Sequence, residues 1–143
     1  MSATLTPEIT DTALGRKSLS ILLADDVDEI RRLMAAWLEG QGHLVGHAST
    51  GREAIRYGLN HPCDLVITDV LMPDNDGLDV IVALRRSHPE TRFLAISGGG
   101  QYMTATDAIH LADALGADSH LFKPFTRDQF FEAIDHALTK RRR

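Results

Sequence analysis

The segment Leu65-Val66-Ile67-Thr68-Asp69-Val70-Leu71-Met72-Pro73 contains a short apolar run, rich in β-branched residues, that ends in a single carboxylate. Such a run is typical of a fully buried strand. A turn rich in Asp, Asn, Pro and Gly follows it. Open α/β sheets bind their ligands in the crevice beyond the carboxyl ends of the strands. We therefore expect Asp69 to be a chemically active carboxylate that the fold presents to this crevice.

Composition restricts the class of protein. The 143 residues have the size of one domain, and the apolar, charged and aromatic fractions are ordinary for a globular protein. The net charge of −5 gives no basic field for nucleic acid or an anionic membrane. The single cysteine, Cys63, excludes an internal disulfide, and the sequence has neither a membrane-spanning apolar run nor a secretion signal. These features predict a cytoplasmic protein.

Strand and helix patterns alternate along residues 18–140. Residues 1–17, rich in Ser and Thr, are predicted to form a flexible tail. Each of five apolar strand patterns is followed by apolar residues at helical spacing; the strands are Leu19–Ala24, His43–Ala48, Leu65–Asp69, Arg92–Ile96 and Asp118–Phe122. The alternation predicts an α/β fold, with one parallel sheet covered by helices on both faces. Residues 141–143 are a basic end that we expect to stay solvated beside the last helix, without contacting nucleic acid.

Polar residues follow four of the five predicted strands. Asp25 and Asp26 follow the first strand and Asp69 ends the third. Ser97 ends the fourth strand and Lys123 follows the fifth. Each residue alone has an ordinary explanation as a helix cap, a turn residue or a surface charge, but the carboxyl ends of parallel strands share one edge. Three converging carboxylates repel one another, so we predict that Lys123 and a hard divalent cation, Mg²⁺ above all, offset their charge.

Together these residues resemble the receiver domain of two-component response regulators. The resemblance covers residues 18–140 and is carried by Asp25-Asp26, Asp69-Val70-Leu71-Met72-Pro73, Asp76-Gly77, Ser97 and Lys123-Pro124-Phe125. It implies a flavodoxin-like, doubly wound five-stranded parallel sheet of order 2-1-3-4-5 with five helices. It also implies a cis peptide bond between Lys123 and Pro124.

The resemblance implies a phosphoryl acceptor and a magnesium site. Asp69 would be the phosphoacceptor. Asp26 would bind Mg²⁺ directly and Asp25 would bind it through water. Asp69 itself and the backbone carbonyl of Leu71 would complete the set of ligands.

The resemblance further implies groups that respond to the phosphoryl group. Lys123 would be the lysine of the family's pattern and Ser97 the switch hydroxyl. His120 occupies the position, three residues before the lysine, where the family usually has Tyr or Phe. It is interpreted either as a switch side chain with some pH sensitivity or as a simple packing substitution. The glycine-rich stretch 98–106 is expected to form a pliable loop that reorders on phosphorylation.

The function predicted from these features is that of a stand-alone receiver. It would accept a phosphoryl group from a histidine kinase or a histidine phosphotransferase. It would then signal by binding an output protein through helix four, strand five and helix five, or pass the group on in a phosphorelay. It would be no enzyme in the usual sense, because it would catalyse only its own phosphorylation and dephosphorylation.

Three other functions remain open at this point. One is a receiver that serves as a phosphorylation-independent interaction module. Another is an Asp-nucleophile phosphatase of the haloacid-dehalogenase type, which needs a second Asp where this chain has Leu71. The third is a flavin-binding electron carrier, which needs a phosphate loop rich in hydroxyls and glycines where this chain has Asp25-Asp26-Val27-Asp28-Glu29.

Overall fold

The computed structural model describes residues 18–72, 77–98 and 103–142. Four predicted segments therefore lie wholly or partly outside the described residues: the tail 1–17, the turn 73–76, residues 99–102 of the loop 98–106, and residue 143 of the basic end. Five strands alternate with five helices within them: β1 (Ser20–Ala24), α1 (Asp28–Gly40), β2 (Leu44–Ala48), α2 (Gly51–Asn60), β3 (Leu65–Asp69), α3 (Gly77–Ser87), β4 (Arg92–Ser97), α4 (Ala105–Leu115), β5 (Ser119–Phe122) and α5 (Arg127–Thr139). The predicted alternation is confirmed.

The strands form one parallel sheet. Their order is β2-β1-β3-β4-β5, and every neighbouring pair runs in the same direction. The predicted flavodoxin-like topology is therefore confirmed. Because the strands are parallel, all their carboxyl ends lie at one edge of the sheet, with β3 in the centre.

Helices cover both faces of the sheet and enclose two apolar cores. Along β3, Leu65 and Ile67 pack towards α1 and α5, whereas Val66 packs towards α2, α3 and α4. All five residues of β3 are buried, as the apolar run that ends at Asp69 predicts. Full burial of one such aliphatic side chain stabilises the fold by roughly 1.5–3 kcal/mol. None of the described helices is long and apolar enough to cross a membrane.

The connection from β5 to α5 runs from a cis peptide bond to a helix cap. The peptide bond between Lys123 and Pro124 is cis, as expected. Helix α5 then begins with a capping box, in which Thr126 Oγ1 accepts from Gln129 N and Gln129 Oε1 accepts from Thr126 N. These two bonds satisfy backbone donors at the start of the helix, so they hold the turn that carries Lys123.

Within the basic end of the chain, Arg142 is docked on the fold, whereas Arg141 is exposed as the sequence suggested. Arg142 donates to both carboxylate oxygens of Asp118, at 2.8 and 2.6 Å, and to the carbonyls of Pro89 and Thr91. Asp118 is buried directly before β5, where Phe93 N also donates to it. Burial alone would raise the pKa of Asp118, but these hydrogen bonds and the arginine charge hold it below its usual range. The expectation of a solvated end was therefore wrong at Arg142, because the buried carboxylate of Asp118 needs a charged partner.

Candidate phosphoryl-acceptor and metal site

Three carboxylates converge at the carboxyl edge of the sheet. Asp25 directly follows β1, and Asp69 is the last residue of the neighbouring strand β3. One oxygen each of Asp25, Asp26 and Asp69 lies within 4.8 Å of the others. Asp25 and Asp69 are buried, whereas Asp26 is exposed to solvent. The fold therefore brings together the three acidic residues that the sequence singled out.

Lys123 lies over the two buried carboxylates. Its Nζ is 3.1 Å from Asp25 Oδ2 and 3.2 Å from Asp69 Oδ2. Its backbone N donates to Ser97 O, which ties the end of β5 to the end of β4. Gly98 packs against the lysine stem, since a Cβ built there would lie 3.3 Å from Lys123 Cβ and Cδ. The main chain thus directs the ammonium group into the acidic cluster.

The electrostatics of the site indicate a shortage of positive charge. Burial raises the pKa of Asp69, the charge of Asp25 adds to this effect, and Lys123 offsets only part of it. Burial alone would lower the pKa of Lys123, but the charges of Asp69 and Asp25 raise it above its usual value. Lys123 is therefore held in its protonated, charged form. One ammonium group does not balance the charge of three neighbouring carboxylates.

The carboxylate of Asp25 tests whether these residues fit a metal ion. Its Oδ1 accepts from Val27 N at 2.9 Å, and its backbone N donates to Ala48 O. Its Oδ2 is buried and makes no hydrogen bond among the described residues, although Lys123 Nζ lies 3.1 Å away as an ion partner. A buried anionic oxygen without a hydrogen bond, beside two further carboxylates, suits a hard cation with oxygen ligands. The donor set therefore fits Mg²⁺.

The backbone around Asp69 is tightly packed. Thr68 Oγ1 donates to Asp69 O at 2.9 Å, and Leu71 N approaches Asp69 Oδ1 at 3.4 Å. A Cβ at Gly77 would overlap Asp69 O, so no side chain fits there. The sequence marked Gly77 only as part of a family pattern, and the structure supplies the physical reason for it. The predicted use of the Leu71 carbonyl as a metal ligand stays a prediction.

The two predicted switch residues lie in different surroundings. Ser97 is buried at the end of β4, the strand beside β3. His120 is exposed on β5, and its ring contacts the ring of Phe122 edge-on, with 5.5 Å between the centroids. The structure thus records His120 in an outward pose. The switching roles of both residues stay predictions.

Sequence reasoning missed Arg31, which contacts the turn after β1. Its guanidinium donates to the backbone carbonyl of Asp25 at 2.7 Å. The sequence could have indicated this contact, because the helical spacing places Arg31 on the buried face of α1 with Met34, Ala35 and Leu38. A charged residue on the inner face of an amphipathic helix indicates a specific polar contact.

Comparisons with known proteins agree with one another. The sequence pattern of the response regulator receiver domain matches residues 21–135. The transcriptional regulatory protein TcrA of Mycobacterium tuberculosis is 35% identical over 130 residues, which are 90% of this chain and 49% of that protein. The chain spans about half, or less, of the length of the curated relatives that it matches.

Solved structures share the fold. The Vibrio cholerae chemotaxis protein CheY4 has a TM-score of 0.74 and 26% identity, over 85% of this chain and 99% of that one. A CheY-like response regulator receiver domain protein from Methanospirillum hungatei has a TM-score of 0.76, over 85% and 94% of the two chains. At 23% identity the second likeness supports the fold alone.

Proposed function

This chain belongs to the response regulator receiver family, and on that basis we propose that Asp69 accepts a phosphoryl group in a reaction that requires Mg²⁺. The observation that carries the proposal is the cluster itself. A buried carboxylate ends the central strand, with Lys123 Nζ at 3.2 Å and two further carboxylates within 4.8 Å. Phosphoryl transfer depends on positioning and on neutralising the charge of the phosphoryl oxygens, and this cluster is suited to both.

The proposed reaction uses the residues of the cluster in distinct roles. The ionised carboxylate of Asp69 attacks the phosphorus atom of a phosphohistidine whose second ring nitrogen is protonated. A P–O bond forms, the P–N bond breaks with its electron pair passing to nitrogen, and the ring leaves as neutral imidazole that keeps the proton on its second nitrogen. Asp25, Asp26, Asp69 and the Leu71 carbonyl would hold Mg²⁺, which when bound supplies positive charge beside the phosphoryl oxygens. Lys123 donates to one phosphoryl oxygen. The Ser97 hydroxyl donates to another, and this bond reports the new group to the loop that follows.

The partners follow from this chemistry. The donor is a histidine kinase or a histidine phosphotransferase, and the cytoplasm is the proposed location, since the single free cysteine suits a reducing compartment. The proposed output surface comprises α4, β5 and α5. It is supported by a cavity of about 460 Å³ between β5 and α5, which His120, Phe122, Glu132 and His136 help to line.

We also propose that the protein catalyses only its own phosphorylation and dephosphorylation. Leu71 stands where an Asp-nucleophile phosphatase of the haloacid-dehalogenase type needs an Asp.

The test is incubation with a small phosphodonor, with either Mg²⁺ or EDTA, followed by intact-mass measurement. We expect the wild-type protein to gain one phosphoryl mass with Mg²⁺ and none with EDTA. Asp69→Asn should gain none under either condition. The matched control is Asp113→Asn, an exposed carboxylate on α4, which should be phosphorylated like the wild type. A phosphoryl group that persists in Asp69→Asn contradicts the proposal.

A further inference from the structure

We propose that Arg31 positions the acidic turn after β1 by fixing the peptide group that joins Asp25 to Asp26. The inference rests on the proposed Mg²⁺-dependent function of that turn. Arg31 is a positioning residue, because its contacts are with the backbone of the turn and with residues outside the acidic cluster. Its effect on the metal would pass through the direction of the Asp26 carboxylate.

The surroundings of Arg31 indicate a specific polar role. The residue is only 9% exposed, on the face of α1 that packs into the core with Met34 and Leu38. Burial of a guanidinium group is unfavourable unless the group is paired and hydrogen-bonded. Each of the three nitrogens of Arg31 has a partner: Nε donates to His47 Nδ1 at 3.3 Å, Nη1 to Asp25 O at 2.7 Å, and Nη2 pairs with Asp28 Oδ1 at 2.7 Å.

These contacts complete the anchoring of Asp25. Its N–H donates to Ala48 O and its Oδ1 accepts from Val27 N, so the carbonyl is the remaining backbone group. Arg31 holds that carbonyl. Because a peptide group is planar, fixing the carbonyl oxygen also fixes the nitrogen of Asp26. Asp26 is exposed, so the direction of its carboxylate depends on this backbone more than on packing.

The charge of Arg31 is already balanced outside the acidic cluster. Asp28, in the first turn of α1, pairs with it at 2.7 Å. A balanced guanidinium contributes directed hydrogen bonds without opposing a cation at the three carboxylates. Arginine suits this task better than lysine, because its planar fork reaches several acceptors at once whereas an ammonium group is a point charge.

Calorimetric titration of the full chain with MgCl₂ tests the inference. Groups that orient metal ligands typically change metal affinity by about 10- to 100-fold when they are mutated. We therefore expect the Kd for Mg²⁺ to rise about tenfold or more in Arg31→Gln, and to rise also in Arg31→Lys. The matched control is Arg32→Gln, which removes the same charge from the exposed neighbour and should leave the Kd unchanged.

Two further measurements separate positioning from simple stability. Urea unfolding in EDTA reports how much Arg31 stabilises the metal-free fold, and a merely structural role would change that value without changing the Mg²⁺ affinity of folded protein. A double-mutant cycle with Asp26→Asn should be non-additive, because Arg31 has little left to position once the Asp26 carboxylate is gone. Additive losses would contradict the inference.

The outcomes distinguish this inference from the proposed function. If the wild type binds Mg²⁺ and the Arg31 variants bind it as well as Arg32→Gln does, the inference alone is overturned. If the wild type shows no saturable Mg²⁺ binding, the proposed function fails and the inference fails with it. Should Arg31→Gln not fold, Arg31→Lys, which keeps the charge and the packed stem, decides the question.

Discussion

Asp69 carries a charge that its surroundings oppose. Burial and the neighbouring Asp25 raise its pKa, and Lys123 compensates only in part. A carboxyl group whose pKa is raised in the folded state binds its proton more tightly there than in the unfolded chain. Above the folded-state pKa, the ionised form therefore lowers the stability of the fold, and this cost disappears as the pH falls below the unfolded-state pKa of about 3.9. At neutral pH the ionised carboxylate of Asp69 therefore destabilises the metal-free protein.

The prediction at this residue is that Asp69→Asn stabilises the metal-free protein. The amide removes the opposed charge at similar volume, so the free energy of unfolding at pH 7 in EDTA should rise. Saturating Mg²⁺ should stabilise the wild type more than the variant, because a bound ion favours the folded state and Asp69 is one of its proposed ligands. Urea unfolding with EDTA and with Mg²⁺ measures both effects. An unchanged or lower stability of the variant in EDTA would contradict this account.

Residue identities at the site differ in how far the sequence could predict them. The convergence of four residues was predictable, because each lies at or just after a strand end and the carboxyl ends of parallel strands share one edge of the sheet. These residues are Asp25, Asp26, Asp69 and Lys123. The requirement for Gly77 was not predictable, since it arises because a Cβ at this position would overlap Asp69 O. Local propensity contains no information about such an approach.

At the scale of elements, the sequence located the strands and helices but not the docking of the chain end. The strand patterns were predictable because buried strands need continuous apolar runs. The pairing of Asp118 with Arg142 joins residues 24 positions apart, from the start of β5 to the segment after α5. This contact depends on the fold of the whole chain and not on the local sequence. The sequence therefore led to the expectation of a solvated basic end.

The prediction for this pairing is a pH-dependent loss of stability in Arg142→Ala. The side chain of Asp118 is 3% exposed and that of Arg142 is 21% exposed, so the loss at pH 7 should be about 1–3 kcal/mol. Because the pKa of Asp118 is lowered in the folded state, its pairing stabilises the fold above the unfolded-state pKa of about 3.9 and this contribution fades as the pH falls through the folded-state pKa. The difference in the free energy of unfolding between wild type and variant should therefore shrink in acid.

The control for this prediction is Arg141→Ala, at the exposed neighbouring residue, which should show little effect on stability. A difference that stays constant down to acid pH would assign the loss to packing.

For the whole molecule, the sheet separates the acidic cluster from the pair formed by Asp118 and Arg142. The acidic cluster lies at the carboxyl end of β3, whereas Asp118 and Arg142 lie near the amino ends of β4 and β5. Asp69 pairs with Ile96, and Phe93, which binds Asp118, lies three positions earlier on the same strand. At about 3.3 Å per residue, the two sites are on the order of 10 Å apart along the sheet.

This separation predicts that the two sites are energetically independent. Substitutions about 10 Å apart without shared partners usually add within ~0.5 kcal/mol. The stability changes of Asp69→Asn and Arg142→Ala should therefore sum in the double variant, in EDTA at pH 7, and Arg142→Ala alone should leave the Kd for Mg²⁺ unchanged. Urea unfolding and MgCl₂ calorimetry on the four proteins measure these values. A clear departure from additivity would mean that the sheet transmits strain from the end that holds Asp118 and Arg142 to the end that carries Asp69. The docking of Arg142 would then influence the state of Asp69.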